Sequence, residues 1–383
     1  MNAELSVRAA ELVALAPEQA AHTVEPAART VELAVTGVAV VSPWGDTPEL
    51  AAAGGGVPVP GGPSWFDHRE RLGRRGYKYL PAAARYALAA ARGARADGGS
   101  PDAVPEERRG LLLATNGGLA ELFDAMDETV TGAGAEALSP AAAPYFAVNV
   151  LGSRLAAELG LKGFALTVAN SRTAAVDALA TGARALAAGR CDTLLLTAAE
   201  EPLPAARGGG GEQGAVALGL EPSAAARTRG ARVHGTVLAR SLFLPPGRLR
   251  TAEGRATASE FLAPVLGALL NEAPTAVLSP VLDDSDVSEA VLLALAGVTA
   301  GRPRPGTTTT GPLEPHTGPG AGRHGCLRPA LEVVRAVTTP GGPPRLVVTA
   351  TGTGHVALAL VTPHPTSEVP PHPTPDTTEE QAC

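Results

Sequence analysis

The residues most able to do chemistry sit at one junction. The stretch Gly160–Arg172 runs into Thr173–Ala188, which reads as a helix of small residues. Arg172 therefore falls at a helix N-terminus, with Asn170 and Ser171 beside it. A thiol in such a place becomes a nucleophile, because the helix N-terminus favours the thiolate. A guanidinium stays protonated at working pH and cannot attack. It can bind an anion, which a helix N-terminus and an arginine both favour. Asn170 and Ser171 could hydrogen-bond the same ligand, although a serine with no base beside it is unactivated. His316 and His324 lie in a Gly/Pro/Thr loop, and His355 follows a glycine turn, Ala350–Gly354. Cys191, Cys326 and Cys383 are scattered, with neither metal-ligand spacing nor a disulfide framework.

The elements that must hold these residues can be read from apolar runs and their punctuation. Val35–Pro43 is an apolar run closed by a turn, a buried strand. An Ala-rich helix runs to Ala94 after Pro81, and Leu111–Gly118 is a strand entering a polar-glycine turn. Leu151–Leu159 fits a helix, Thr193–Ala198 a strand, and Arg345–Val348 and Val356–Val361 two further strands around the last glycine turn. Asp286 and Glu289 open another helix. Alternating strands and helices in two halves predict an α/β protein with parallel sheets covered by helices. The expected division is an N-terminal extension over 1–30, a first half over 31–214, a second over 215–362, and a disordered Pro/Thr/Glu-rich tail over 363–383.

The composition bounds the rest. The chain has 383 residues and a formal net charge of -7, which suggests no nucleic-acid role. No run reaches the roughly 18 apolar residues that a membrane span needs. Residues 1–29 lack the basic and apolar regions of a signal peptide, so the expected location is cytoplasmic.

Several segments together resemble the β-ketoacyl synthases. Gly160-Leu161-Lys162-Gly163 is similar to the G-L-K-G that precedes the reactive cysteine in that family, ten residues after the lysine. Counting ten from Lys162 gives Arg172, and seventeen more give Gly189-Arg190-Cys191-Asp192, similar to the family's G-x-C-D turn. Val35–Pro43 resembles the opening strand, Gly73–Pro81 the L-G-R-R-G-x-x-Y segment of type II polyketide synthase subunits, and Gly211–Leu218 the G-E-G-A-G segment. Ala225–Val237, which contains Arg229–Val233, resembles a family hairpin, and Ser139–Asn149 the segment before a dimer-interface helix.

The resemblance implies the thiolase fold, two pseudo-repeated halves in a five-layer α-β-α-β-α arrangement. It also implies a lost active site. Arg172 replaces the cysteine; Leu278, eight residues before Asp286, replaces the first histidine; and Pro319 falls at the second, with His316 and His324 close by. Cys191 is structural in this family. The chain is similar to the chain-length factor that pairs with an active synthase. The implied partners are a Cys-containing ketosynthase subunit, in a heterodimer, and a phosphopantetheinylated acyl carrier protein, with no bound cofactor, no metal, no nucleic acid and no membrane. The alternative is an acyltransferase or cyclase of altered chemistry, in which Arg172 holds an anionic group of a carrier-bound substrate.

Overall fold

The computed structural model describes residues 31–53, 65–98, 103–202, 211–300 and 325–365. The expected extension over 1–30 and the tail beyond residue 365 lie outside them. Nine strands form one mixed sheet: β1 (Leu33–Val41), β2 (Arg109–Thr115), β3 (Ala165–Ala169), β4 (Thr193–Glu200), β5 (Gly214–Pro222), β6 (Gly235–Phe243), β7 (Val277–Val281), β8 (Arg345–Ala350) and β9 (His355–Pro363). The helices are α1 (Pro48–Ala53), α2 (His68–Arg71), α3 (Ala82–Gly98), α4 (Ala120–Ala133), α5 (Val150–Leu159), α6 (Ala174–Ala187), α7 (Ser223–Thr228), α8 (Ala252–Glu272), α9 (Asp286–Thr299) and α10 (Leu327–Val337).

The sheet order is β3-β2-β4-β5-β1-β6-β9-β8-β7. It is two copies of one pattern joined back to back. β2 and β4 run parallel, as do β7 and β8, and each pair continues into an antiparallel strand, β5 or β9. The two groups meet where β1 and β6 pair over only three residues, Leu33–Val35 against Gly235–Val237. β5 lies between β4 and β1. By sheet order it therefore keeps company with the first group, and the second group opens with β6 at Gly235, later than residue 215.

Five layers follow from what the helices touch. α6 packs on β2 and β4 of one group and on β6 and β9 of the other, and α10 likewise touches β4 and β5 as well as β8 and β9. These two helices form the middle layer. Outside them, α3 and α5 cover the first group, while α8 and α9 cover the second. A helix apolar on all sides must be buried on all sides, and α6 has that composition: Ala174, Ala175, Val176, Ala178, Leu179, Ala180 and Ala183 are all buried. Small side chains let the two groups of strands close in on the helix. A Cβ on Gly182 would stand 2.8 Å from Leu112 Cδ1 and 3.0 Å from Leu194 Cδ1.

The expected hairpin after Ala225 is absent from the described fold. Its first part is the short helix α7, and β5 and β6 are not neighbours, because β1 lies between them. Strand β1 claims both partners: its hydrogen bonds to β5 run along its whole length and those to β6 occupy its first three residues. The 21-residue α8, with Pro264 inside it, has no counterpart in the apolar periodicity read from the sequence.

Leu179 is the largest apolar side chain in the middle of α6 and is 1% exposed. Leu179→Ala is expected to destabilise the fold by about 2–5 kcal/mol through lost burial and a residual cavity. A urea titration followed by circular dichroism measures this; a midpoint unchanged from wild type would show that the central layer can collapse around the gap.

Candidate functional site

The carboxyl ends of the parallel strands β2, β3 and β4 lead to one end of the sheet, and those of β7 and β8 do so in the second group. Ligands in α/β proteins bind at such ends. The chain leaves β3 through Asn170, whose N–H donates to Thr115 O at 3.1 Å, so the pairing with β2 runs on into the turn. Asn170 Nδ2 donates to Thr173 Oγ1 at 3.0 Å, and Thr173 N donates to Ser171 O. Both expected ligand-binders therefore help to shape the turn. α6 starts directly afterwards.

Arg172 occupies the apex. Its φ is +50°, the one positive value at a non-glycine among the described residues. A left-handed conformation costs an L-residue roughly 1–2 kcal/mol. Residues held in this way cluster at functional sites, and a strained strand-to-helix turn is how other enzymes display a nucleophile. Arg172 is 2% exposed, and its Nη1 has no hydrogen-bond partner among the described residues. Burial pulls its pKa below the usual guanidinium range; the charges of Asp283, Glu212 and Asp284, in that order, oppose the shift.

Asp283 lies between β7 and α9. Its Oδ1 accepts from Ser285 Oγ at 2.5 Å and Ser288 Oγ at 2.7 Å, and its Oδ2 accepts from Gly352 N at 2.9 Å, in the turn between β8 and β9. Burial would raise its pKa, but these three donors and the Arg172 cation outweigh it and hold the carboxyl below its ordinary range.

A second set of acids meets the start of α10. Glu200 accepts from Asn116 N and Gly117 N, both at 2.7 Å, and from Cys326 N at 2.9 Å. Glu212 accepts from Leu327 N at 2.7 Å and Arg328 N at 3.1 Å. Both carboxylates thus satisfy helix N–H groups that would otherwise lack partners. Burial pushes the Glu212 carboxyl up to about 7 and also raises that of Glu200. Glu201, 3% exposed, is likewise pushed up to about 7 by burial.

Only some of the expected site residues come together. His355 opens β9, with its ring 5.5 Å from that of Phe243 and edge-on to it, just after the turn that reaches Asp283. Leu278 sits within β7 and packs on the outer core beside α8 and α9. Its neighbour Ser279 bonds Arg345 Nη1 at 2.6 Å, and Arg345 reaches Glu332 of the central helix α10. Strand alternation therefore turns Leu278 away from the layer that holds α6. Pro319, His316 and His324 lie outside the described residues. Cys191 is 1% exposed, and burial lifts its thiol to about 11. Cys326 is fully buried, and burial together with Glu200 and Glu212 lifts its thiol well above the ordinary value. Neither thiol supplies a thiolate near neutrality. Among the described residues no group of His, Cys, Asp and Glu is arranged to hold a metal ion. No helix there is long and apolar enough to cross a membrane.

Residues 64–241, which include β3, the Arg172 turn and α6, match the family model for the β-ketoacyl synthase N-terminal domain. That match spans 178 of the 383 residues, and the mixed sheet flanked by helices has the thiolase-like ketosynthase fold. Its fold is similar to a type II polyketide synthase acyl-carrier protein in complex with its ketosynthase, AntDE:AntF (TM-score 0.65, 17% identity, 87% of this chain and 99% of that chain). It is also similar to the ishigamide ketosynthase/chain length factor (TM-score 0.62, 20% identity, 87% and 99%) and to a β-ketoacyl synthase from Burkholderia phymatum STM815 (TM-score 0.61, 16% identity, 87% and 99%). No curated protein matches the sequence. In this ketosynthase-like chain the sequence count and the strained turn single out the same residue, Arg172.

The raised carboxyls give stability a pH dependence of known sign. Glu201 and Glu212 protonate near 7 when folded but near 4.3 when unfolded. Between those values the folded state binds more protons, so unfolding free energy falls as pH rises. The urea midpoint is expected to drop from pH 5 to pH 7.5 and then level off. Glu212→Gln should flatten part of that slope, and an unchanged slope would show that Glu212 titrates normally.

Proposed function

We propose that this chain is a catalytically silent ketosynthase subunit that pairs with a thiol-bearing ketosynthase and helps to shape chain elongation in type II polyketide, polyene or fatty-acid-like biosynthesis. One observation carries the reading: the turn that would display the nucleophile holds a buried arginine instead. Acyl transfer through a thioester needs a thiolate there, and the guanidinium forms none. Losing the nucleophile leaves the sheet, the central helices and the outer surface intact, and function follows the site rather than the fold.

The surface favours pairing. β3 is an end strand of the sheet, and it is exposed: Leu166 is 42% accessible, and Phe146, in the preceding 3₁₀ segment Pro140–Phe146, is 64% accessible. An apolar strand edge is a ready template for a second sheet, and related chains form dimers by symmetric use of one surface. Fold relatives named as a ketosynthase/chain length factor and as an acyl-carrier protein complex with its ketosynthase supply the partner classes. An active ketosynthase would carry the growing acyl chain, and the phosphopantetheinylated carrier protein would dock on the pair.

Co-expression with a thiol-bearing synthase encoded beside it is expected to give a 1:1 complex by size exclusion with light scattering. Intact-protein mass spectrometry after incubation with acyl carrier substrate should find acyl groups on the partner alone. Leu166→Lys with Phe146→Lys should abolish the complex and leave the circular dichroism spectrum unchanged. A covalent acyl adduct on this chain would refute the silent-subunit reading.

The unpaired Nη1 of Arg172 favours one second reading, in which the guanidinium holds an anionic group of a carrier-bound substrate. Arg172→Ala separates the two. A silent subunit keeps the partner's turnover in the complex, whereas an anion-binding site loses turnover while the complex persists.

A further inference from the structure

Away from the Arg172 turn, three arginines share one buried carboxylate. Glu332, on α10, has a side chain only 6% exposed. Its Oε1 lies 3.2 Å from Arg335 Nη1 and 3.4 Å from Arg328 Nη2, and its Oε2 lies 3.4 Å from Arg345 Nη1. Arg345 reaches across from the start of β8 and also donates to Ser279 Oγ at 2.6 Å. The geometry is loose for ion pairs: every Arg–Glu contact exceeds 3 Å, where direct charge-assisted bonds run about 2.7–2.9 Å.

Among the described residues that line this region, three guanidinium groups face one carboxylate. One carboxylate offsets one guanidinium, and the field of Glu212 reaches Arg328. Arg335 and Arg345 remain with only a share of Glu332. Between them lies a cavity of about 200 Å³, lined by Leu278, Ser279, Pro280 and Val281 of β7 together with Arg328, Glu332, Arg335 and Arg345. It is far larger than the roughly 10–15 Å³ that a single water needs. β7 is the last strand of the sheet among the described residues, so the cavity lies at the sheet margin. Planar guanidinium forks converging on one space, with a hydroxyl beside them, match a tetrahedral oxyanion that takes several donors at once.

We propose that this cavity, formed by α10 and the β7–β8 edge, is a binding site for a phosphate group, held by Arg335 and Arg345 with Ser279 Oγ and Arg328 at the rim. The site is separate from the Arg172 turn and independent of how the chain pairs. Glu332 gathers the arginines and opposes the ligand's charge, which gives the proposal a sign that a purely structural cluster would not have.

Isothermal titration of the full chain with inorganic phosphate at low ionic strength is expected to show saturable binding to one site. Arg335→Gln with Arg345→Gln should weaken it about tenfold or more, the value of charge-assisted hydrogen bonds. Glu332→Gln should tighten it, because the competing carboxylate is gone. Circular dichroism confirms that each variant is folded, and Arg335→Gln alone, at a side chain 37% exposed, is the fallback if the pair does not fold. Phosphoethanolamine in place of phosphate distinguishes the source: tighter binding assigns a phosphate monoester, and equal or weaker binding assigns free phosphate. Absence of phosphate binding in wild type, binding unaffected by either arginine variant, weaker binding in Glu332→Gln, or binding of succinate but not phosphate would each overturn the proposal.

Discussion

A buried cation at a strained turn constrains the site more than any other feature. Arg172 is held in a left-handed conformation at the N-terminus of the central helix, out of water, where a lone charge would cost several kcal/mol. The principal compensating charge, Asp283, comes from the other group of strands. That carboxylate is fixed by Ser285 and Ser288 at the start of α9 and by Gly352 between β8 and β9. One electrostatic relation thereby ties the β3–α6 turn to two loops of the second group. Within the sheet itself the two groups are joined sparingly, since β1 and β6 share only three residue pairs. A helix N-terminus by itself disfavours a cation, so the turn depends on acids brought in from outside α6.

The same logic extends to α10, the other central helix. Its N–H groups end on Glu200 and Glu212, which come from the end of β4 and the start of the β5 segment. Glu200 also binds the turn after β2. The two middle helices are thus seated by complementary devices: α6 begins at a cation balanced by distant acids, and α10 begins at acids that accept from it directly. Buried carboxyls raised toward neutrality hold their protons more readily than exposed ones, so this end of the molecule is electrostatically soft near pH 7 while the apolar layers on either side are not.

Much of this was legible in the sequence, because the informative signals are short and local. Apolar runs bounded by turn residues marked β1, β2, β4, β8 and β9 to within a few residues, and the all-small composition of Thr173–Ala188 marked the central helix. Arg172 could be found by counting alone, since a strand, a tight turn and a helix permit few insertions between them. Leu278 shows where counting fails. Eight residues back from Asp286 assumes a fixed loop between strand and helix, yet β7 ends at Val281 and the loop is only four residues, Leu282–Ser285. The residue facing Arg172 is Asp283, within that loop, and Leu278 points to the outer core. Nor does periodicity show that β1 separates β5 from β6, because strand order is a property of long-range pairing. Glu200 and Glu212 gave one weak signal, an acidic residue in a glycine-flanked or apolar setting, which becomes meaningful only when the start of α10 is placed against it.

The residue type at the turn apex can vary without loss of fold, for a physical reason. The central core is built from Ala174–Leu186 of α6 and from α10, with strand residues such as Leu112, Leu196 and Val347, and it does not include Arg172. Residue 172 itself contributes a side chain to the polar end of that layer and nothing to its apolar interior. A cysteine and an arginine at this place therefore demand different neighbours at the strand ends but the same packing beneath. The constraint that remains is charge: any residue there must be compatible with Asp283, whose hydrogen bonds from Ser285, Ser288 and Gly352 stabilise its ionised form. With that carboxylate fixed, a neutral side chain at the apex would leave a half-buried negative charge without the favourable field of the guanidinium. The arginine and the loop that bears Asp283 are best understood as one unit, and neither can be replaced alone without cost to the other.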